Sequence, residues 1–286
     1  MMDAPGARKL DPAALAGSNE RGPDKLGILL RVGLFAVIGW IGMVLISALL
    51  LPVTGLLAAA AFSVFAAAAV ANAIVVRIYE RGRLSDLGLG WSGSSAREFF
   101  TGLGLGASGA LVIVAVPLAL GLARFTTTSG VEHRSAALAF VSITLLFGAV
   151  GEEMLFHGYA FQLLVKSMGA FATILPAGVI FGLAHAGNQN ASGVGVLNTM
   201  IWGVLLGFAY ARTQALWMPI GLHFGWNVIL PLFGVNLSGF TMGVTGYSMQ
   251  WKVGDLWSGG AYGPEGGLLT SAVAIGLFFY LHKAPI

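Results

Sequence analysis

Two adjacent carboxylates lie where a chain can least easily keep them. Glu152 and Glu153 fall inside the apolar stretch 136–165, and the other ten acids sit in the polar N-terminal region or in loops. A carboxylate near the middle of a bilayer costs at least about 2.5 kcal/mol on insertion scales, so such a group is functional by default. Successive helical residues point about 100° apart, so the two cannot aim at one ligand. His157, at i+4 from Glu153, shares its face. That spacing pairs Glu153 with His157 and leaves Glu152 for a cavity. Two more histidines lie in apolar stretches. One is His185, in Phe181-Gly182-Leu183-Ala184-His185. The other is His223, in His223-Phe224-Gly225-Trp226-Asn227, where histidine and asparagine share a helix face. Each alone reads as a core residue or an interhelical hydrogen bond. Together, a carboxylate and two imidazoles can activate a water and stabilise an oxyanion. The same groups, Glu152, His185 and His223, also form a hydrolytic zinc set, which leaves a zinc ion open as cofactor. There is no cysteine, hence no thiolate nucleophile and no zinc-thiolate site. No Ser-His-Asp arrangement and no phosphate loop is evident, and Gly102-Leu103-Gly104-Leu105-Gly106 reads as helix packing.

The elements that must position these residues are membrane helices. Hydrophobic residues make up 57% of the 286 and charged residues 9%, against about 25% charged in soluble domains. The mean hydropathy is +0.84. Apolar runs cover 28–51, 53–76, 99–123, 136–165, 170–187, 194–211, 215–235 and 267–281. The first, at 24 residues, can cross a hydrocarbon core of about 30 Å. The runs are continuously apolar instead of alternating, which argues against barrel strands. The expectation is an all-α, polytopic transmembrane bundle of about eight spans, with a disordered cytoplasmic tail over 1–27 and the helical domain over 28–286. Loops are expected at 77–97 and 236–266, and no internal repeat is visible.

Threading eight spans from a cytoplasmic N-terminus puts twelve basic residues on the cytoplasmic side: Arg8, Lys9, Arg21, Lys25, Arg31, Arg77, Arg81, Arg83, Arg97, Lys166, Arg212 and Lys283. It leaves Arg124, Arg134 and Lys252 outside. Both termini are therefore expected in the cytoplasm, in a multi-pass protein of the cell (inner) membrane. The net charge of +3 is accounted for by loops facing anionic lipid, so membrane lipids are the expected partners and no nucleic acid is needed.

At these residues the sequence resembles the CPBP family of intramembrane proteases (CAAX protease and bacteriocin-processing, also called Abi), which includes the type II CAAX prenyl endopeptidases. The family pattern is a Glu-Glu-x-x-x-Arg helix, a Phe-x-x-x-His helix and a His-x-x-x-Asn helix. Glu152-Glu153-Met154-Leu155-Phe156-His157 matches the first except at its last position. Phe181 to His185 matches the second and His223 to Asn227 the third, in the same order. The flanks agree as well: Ala186-Gly187-Asn188, Arg212-Thr213 before Leu216-Trp217-Met218-Pro219, and Phe233-Gly234 to Ser238-Gly239. The resemblance covers about 138–239.

What the resemblance implies is hydrolysis of a peptide bond within the membrane. The substrate would be a membrane-associated or prenylated-type protein or peptide. By that resemblance Glu152 is the general base on a water, His185 helps hold that water, and His223 with Asn227 stabilises the oxyanion, with Glu153 and His157 in support. Histidine stands at 157 where the family has arginine, which exchanges a permanent charge for a titratable one. Two other function classes stay open: a non-catalytic scaffold or bacteriocin-immunity factor of the same fold, and a proton-coupled transporter.

Overall fold

The computed structural model describes residues 24–127 and 135–284. The polar tail expected over 1–27 lies outside the described residues except at its end, where Lys25 already begins the first helix. Helix α1 (Lys25–Val75) would be about 77 Å long if straight. It is broken at Gly55, which has φ 76 and ψ 172, three residues after Pro52. Proline removes a helical donor, and glycine tolerates the left-handed turn that follows. The two rods fold back on one another: a Cβ on Gly42 would lie 3.0 Å from that of Ala67, and Arg31 pairs with Glu80 at 3.0 Å. The second rod continues as a π-helix, Val76–Glu80.

Helices α2 (Gly93–Ala119), α3 (Ser135–His157), α4 (Tyr159–Met168), α5 (Ala170–Ala184), α6 (Gly193–Thr213), α7 (Trp217–Leu232) and α8 (Leu268–Lys283) complete the bundle. Large apolar side chains such as Leu29, Val53 and Phe171 are exposed on its outside, as suits a lipid solvent. The protein is an all-α membrane protein, but the expected span count is corrected. Four helical stretches among the described residues are long and apolar enough to cross a membrane: Lys25–Glu80, Gly93–Ala119, Ser135–Met168 and Gly193–Thr213. Two of the expected spans are one bent stretch. Helices α5, α7 and α8, of 15, 16 and 16 residues, fall short of the roughly 20 a full crossing takes. The run 136–165 is interrupted at Gly158, where the amphipathic α4 begins.

A second difference is a two-stranded antiparallel sheet, β1 (Ala123–Thr127) with β2 (Tyr247–Trp251), in register Phe125 to Met249. Both strands lie outside the helices, where continuous hydropathy gives no signal. Phe125 stacks on Phe233 just past α7, with ring centroids 6.0 Å apart. The sheet closes one end of the bundle. At the other end, Gln162 donates to the carbonyl of Leu87, Trp217 to that of Gly90, and Arg212 to those of His282 and Ala284.

The most extensive helix pair is α2 with α7, and glycines make it possible. Gly102 and Gly106 on α2 lie against the Met218 and Leu222 carbonyls, while Gly221 and Gly225 on α7 lie against those of Phe99 and Leu103. A Cβ at any of the four would collide with backbone, so small residues at i, i+4 set the close approach. This crossing fixes the depth of α7, and with it His223 and Asn227.

Candidate active site

Helix α3 carries the paired acids, and a buried asparagine from α1 holds its end. Asn72 donates from Nδ2 to the carbonyls of Ala68 (2.8 Å) and Met154 (2.9 Å), and its Oδ1 accepts from the Tyr159 amide at 2.8 Å. It thereby partners a carbonyl and an amide on either side of the break at Gly158, groups that would each cost about 1–3 kcal/mol if buried unpaired. A Cβ on Gly158 would run into the Met154 carbonyl and the Asn72 amide. The break stops α3 at His157, one turn beyond Glu153.

Glu153 and His157 are fully buried. His157 Nδ1 lies 2.7 Å from Glu153 Oε2, the i, i+4 pair expected from spacing. His223 Nδ1 lies 2.8 Å from Glu153 Oε1. A carboxylate only accepts, so both imidazoles donate from Nδ1. Glu153 thus joins α3 to α7, which was not legible from the i, i+4 rule. His157 Nε2 is buried with no hydrogen-bond partner, which suits a neutral ring carrying its proton on Nδ1.

Glu152 points the other way, into a cavity of about 460 Å³ that it lines together with His185, His223 and Asn227. Its Oε2 lies 3.5 Å from His185 Nε2 and 3.9 Å from His223 Nε2. Those separations exceed direct hydrogen bonds, and Oε2 accepts none from the protein. His185 caps the C-terminus of α5 and donates from Nδ1 to the Phe181 carbonyl at 2.8 Å. That bond is the physical content of the Phe-x-x-x-His spacing, since it turns Nε2 toward Glu152. Phe181 also edges onto Phe156 of α3, with centroids 4.9 Å apart. The structure therefore brings all four residues of the expected site to one cavity, with Glu153 and His157 behind it. Glu152, His185 and His223, the set left open to a zinc ion, thus all line this cavity. Among the described residues no group of three His, Cys, Asp or Glu side chains could hold a metal ion.

Residues 134–229 match the model of a family described as "Type II CAAX prenyl endopeptidase Rce1-like". This stretch is similar to that family. It runs from the start of α3 into α7 and contains Glu152, Glu153, His157, His185, His223 and Asn227, so the resemblance read from the motifs holds over these residues. The flanking Phe233 to Gly239 segment lies beyond the matched residues. A curated protein of Bacillus subtilis (strain 168), named "Putative membrane peptidase YdiL", is 29% identical over 90 residues, 32% of this chain and 35% of that protein. The match thus spans about a third of the relative's length. No solved structure matches the chain. The protein is thus an apolar, helical membrane protein, one segment of which is similar to this family.

Two residues that bear on the site lie outside that segment. Asn72 lay unremarked in an apolar run, where its presence was the available signal. Glu265, counted among the loop acids, enters the cavity wall with Ser238 and the Rce1-like segment's Asn188 and Asn198. Tyr262, three residues before Glu265, is buried. Burial, and then the Glu265 charge, push its hydroxyl up to about 12, so it stays neutral.

Proposed function

We propose that this protein hydrolyses peptide bonds of membrane-associated or prenylated-type substrates, using a water activated by Glu152. The observation that carries this reading is the Glu152 carboxylate, unbonded at Oε2 and faced by two imidazole Nε2 atoms whose Nδ1 atoms are both tied down. A base acts directly or through one water, and a water seated beside these atoms can reach all three. Glu152 takes one proton as the oxygen bonds to the substrate carbonyl carbon. The charge that develops on the carbonyl oxygen is met by the Asn227 amide and by His223 as an imidazolium, whose Nδ1–H stays on Glu153 while Nε2 carries the second proton. Collapse breaks the C–N bond, and the proton held by Glu152 passes to the departing amine. No step here uses a metal. The Rce1-like match supports the reaction class, and a CAAX-type tail is the corresponding substrate choice.

The same reading places the protein in the cell membrane with both termini cytoplasmic. It is supported by the gathering of Arg31, Arg212 and Lys283 at the bundle end opposite the sheet. The test compares protein N- and C-termini in membranes holding the native protein or Glu152→Gln at equal abundance. New termini should appear with the native protein alone, and cleavage by the purified protein should survive exhaustive chelation. Identical termini in the two membranes would sink the protease reading and leave a scaffold.

A further inference from the structure

The cavity contains a third carboxylate, Glu265, outside the Rce1-like stretch and separate from the chemistry above. Its Oε1 accepts from the indole nitrogen of Trp226 at 2.9 Å. Its Oε2 accepts from both the backbone N–H and the hydroxyl of Ser238, the latter at 2.9 Å. Its carbonyl accepts from Asn198 Nδ2 of α6 at 2.7 Å. One residue thus ties α6, α7 and the segment after α7 together. Trp226 immediately precedes Asn227. Ser238 sits at φ 49 and Gly239 at φ 86, with Gly239 pressed against the carbonyl of Gln189, just past His185. A non-glycine residue in the left-handed region is strained and persists only where its surroundings hold it. Here the Glu265 carboxylate holds it.

We infer that Glu265 is a positioning residue for the site, clamping the segment 237–240 onto α7 so that Asn227 and His185 keep their places around Glu152. The inference rests on the hydrolytic reading of that cavity. The chemistry requires a carboxylate at 265. The indole N–H and the Ser238 backbone N–H can only donate, and they address opposite oxygens of one group. A glutamine would satisfy one of them and turn its own N–H₂ against the other.

The test uses that polarity. Turnover is read with a quenched prenylated CAAX peptide in detergent. Loop attachment is read as the maleimide labelling rate of Leu237→Cys, which places a thiol at a position 4% exposed in a chain that has no other. Glu265→Gln should lower kcat by about 10- to 100-fold with KM little changed, as a small misplacement around a reacting centre does. It should speed labelling by about tenfold as the segment opens locally. Trp226→Phe removes the donor that the glutamine amide would meet. The Trp226→Phe/Glu265→Gln protein should therefore label slowly again and turn over faster than Glu265→Gln alone. Ser238→Ala, which keeps the backbone N–H bond, should show a smaller change in the same direction and stays readable if the glutamine protein fails to accumulate. Unchanged labelling in Glu265→Gln, or a double variant no better than the single one, would overturn the assignment. Faster labelling that the double variant reverses, in protein that cleaves nothing in any form, would keep the clamp and sink the hydrolytic reading instead.

Discussion

On one face of α3, Glu153 is sealed between His157 at 2.7 Å and His223 at 2.8 Å, with no exposed surface. On the next, Glu152 keeps 26% of its side chain exposed and stands 3.5 Å and 3.9 Å from its two histidines. Both are glutamates on the same helix, one residue apart. The dry face uses short bonds to both oxygens of a buried carboxylate, which fixes ring orientation and the Nδ1 protons. The wet face leaves an oxygen and two imidazole nitrogens without a direct bond to one another. His223 belongs to both, with Nδ1 on the dry side and Nε2 on the wet one. Fixed groups behind and loose groups in front is what a water-activating site requires, because donors that cannot move cost no reorganisation when charge develops.

The comparison breaks most sharply at Glu152. Glu152→Gln preserves volume and removes proton acceptance, so turnover should fall by about 10²- to 10⁴-fold, with membrane accumulation and melting midpoint unchanged. Cleavage at the native rate would overturn its role as base. Asn227→Ala deletes one donor from the wet face and should cost about 10²- to 10³-fold in kcat, read in the same assay with the fold monitored by thermal melting. A loss confined to KM would move Asn227 from the oxyanion to substrate binding.

Much of this contrast was legible in the sequence, because helix geometry alone separates neighbouring residues by about 100° and joins those at i, i+4. That reasoning assigned His157 to Glu153, left Glu152 to the cavity, and grouped His223 with Asn227. It could not see that Glu153 also holds His223, since the link runs between helices 70 residues apart. Nor could it find Glu265, whose contribution depends on where a glycine-rich segment folds back onto α7. The span count failed for a related reason. Hydropathy registers apolar stretches, but not that Gly55 bends one helix into a hairpin or that α5, α7 and α8 end within 15 or 16 residues. Asn72 shows the same limit, since one amide in an apolar run is a weak signal until the broken helix it mends is known.

The dry face answers to a third change. Glu153→Gln leaves an amide between two imidazoles, where its oxygen accepts from one ring and its N–H₂ requires the other to present a lone pair. His157 can do this by moving its proton to Nε2, but that nitrogen has no partner. The expected outcome is a stability loss of about 1–3 kcal/mol in denaturant titration. A fall in turnover of about 10- to 100-fold should accompany it, the range for outer partners of a working imidazole. A turnover loss as deep as that of Glu152→Gln, at full stability, would make Glu153 part of the chemistry.

The smallest expected effect sharpens the comparison at His157. Its ring is buried, edges onto Phe161 with centroids 5.0 Å apart, and leaves Nε2 facing Gly207, where a Cβ would come within 3.3 Å. His157→Arg places a permanently charged fork behind Glu153. The larger head must fit beside Gly207, and overpacking of this kind costs about 1–3 kcal/mol, so the melting midpoint should fall slightly. Turnover should change by less than about threefold, because the dry face has only to orient His223, and a guanidinium bonded to Glu153 Oε2 leaves Oε1 for His223 Nδ1. Arginine cannot release its proton at working pH, whereas histidine can. If His157→Arg retains its fold and loses turnover by tenfold or more, the dry face must exchange protons during the reaction. The separation between a fixed rear and a reactive front would then be wrong.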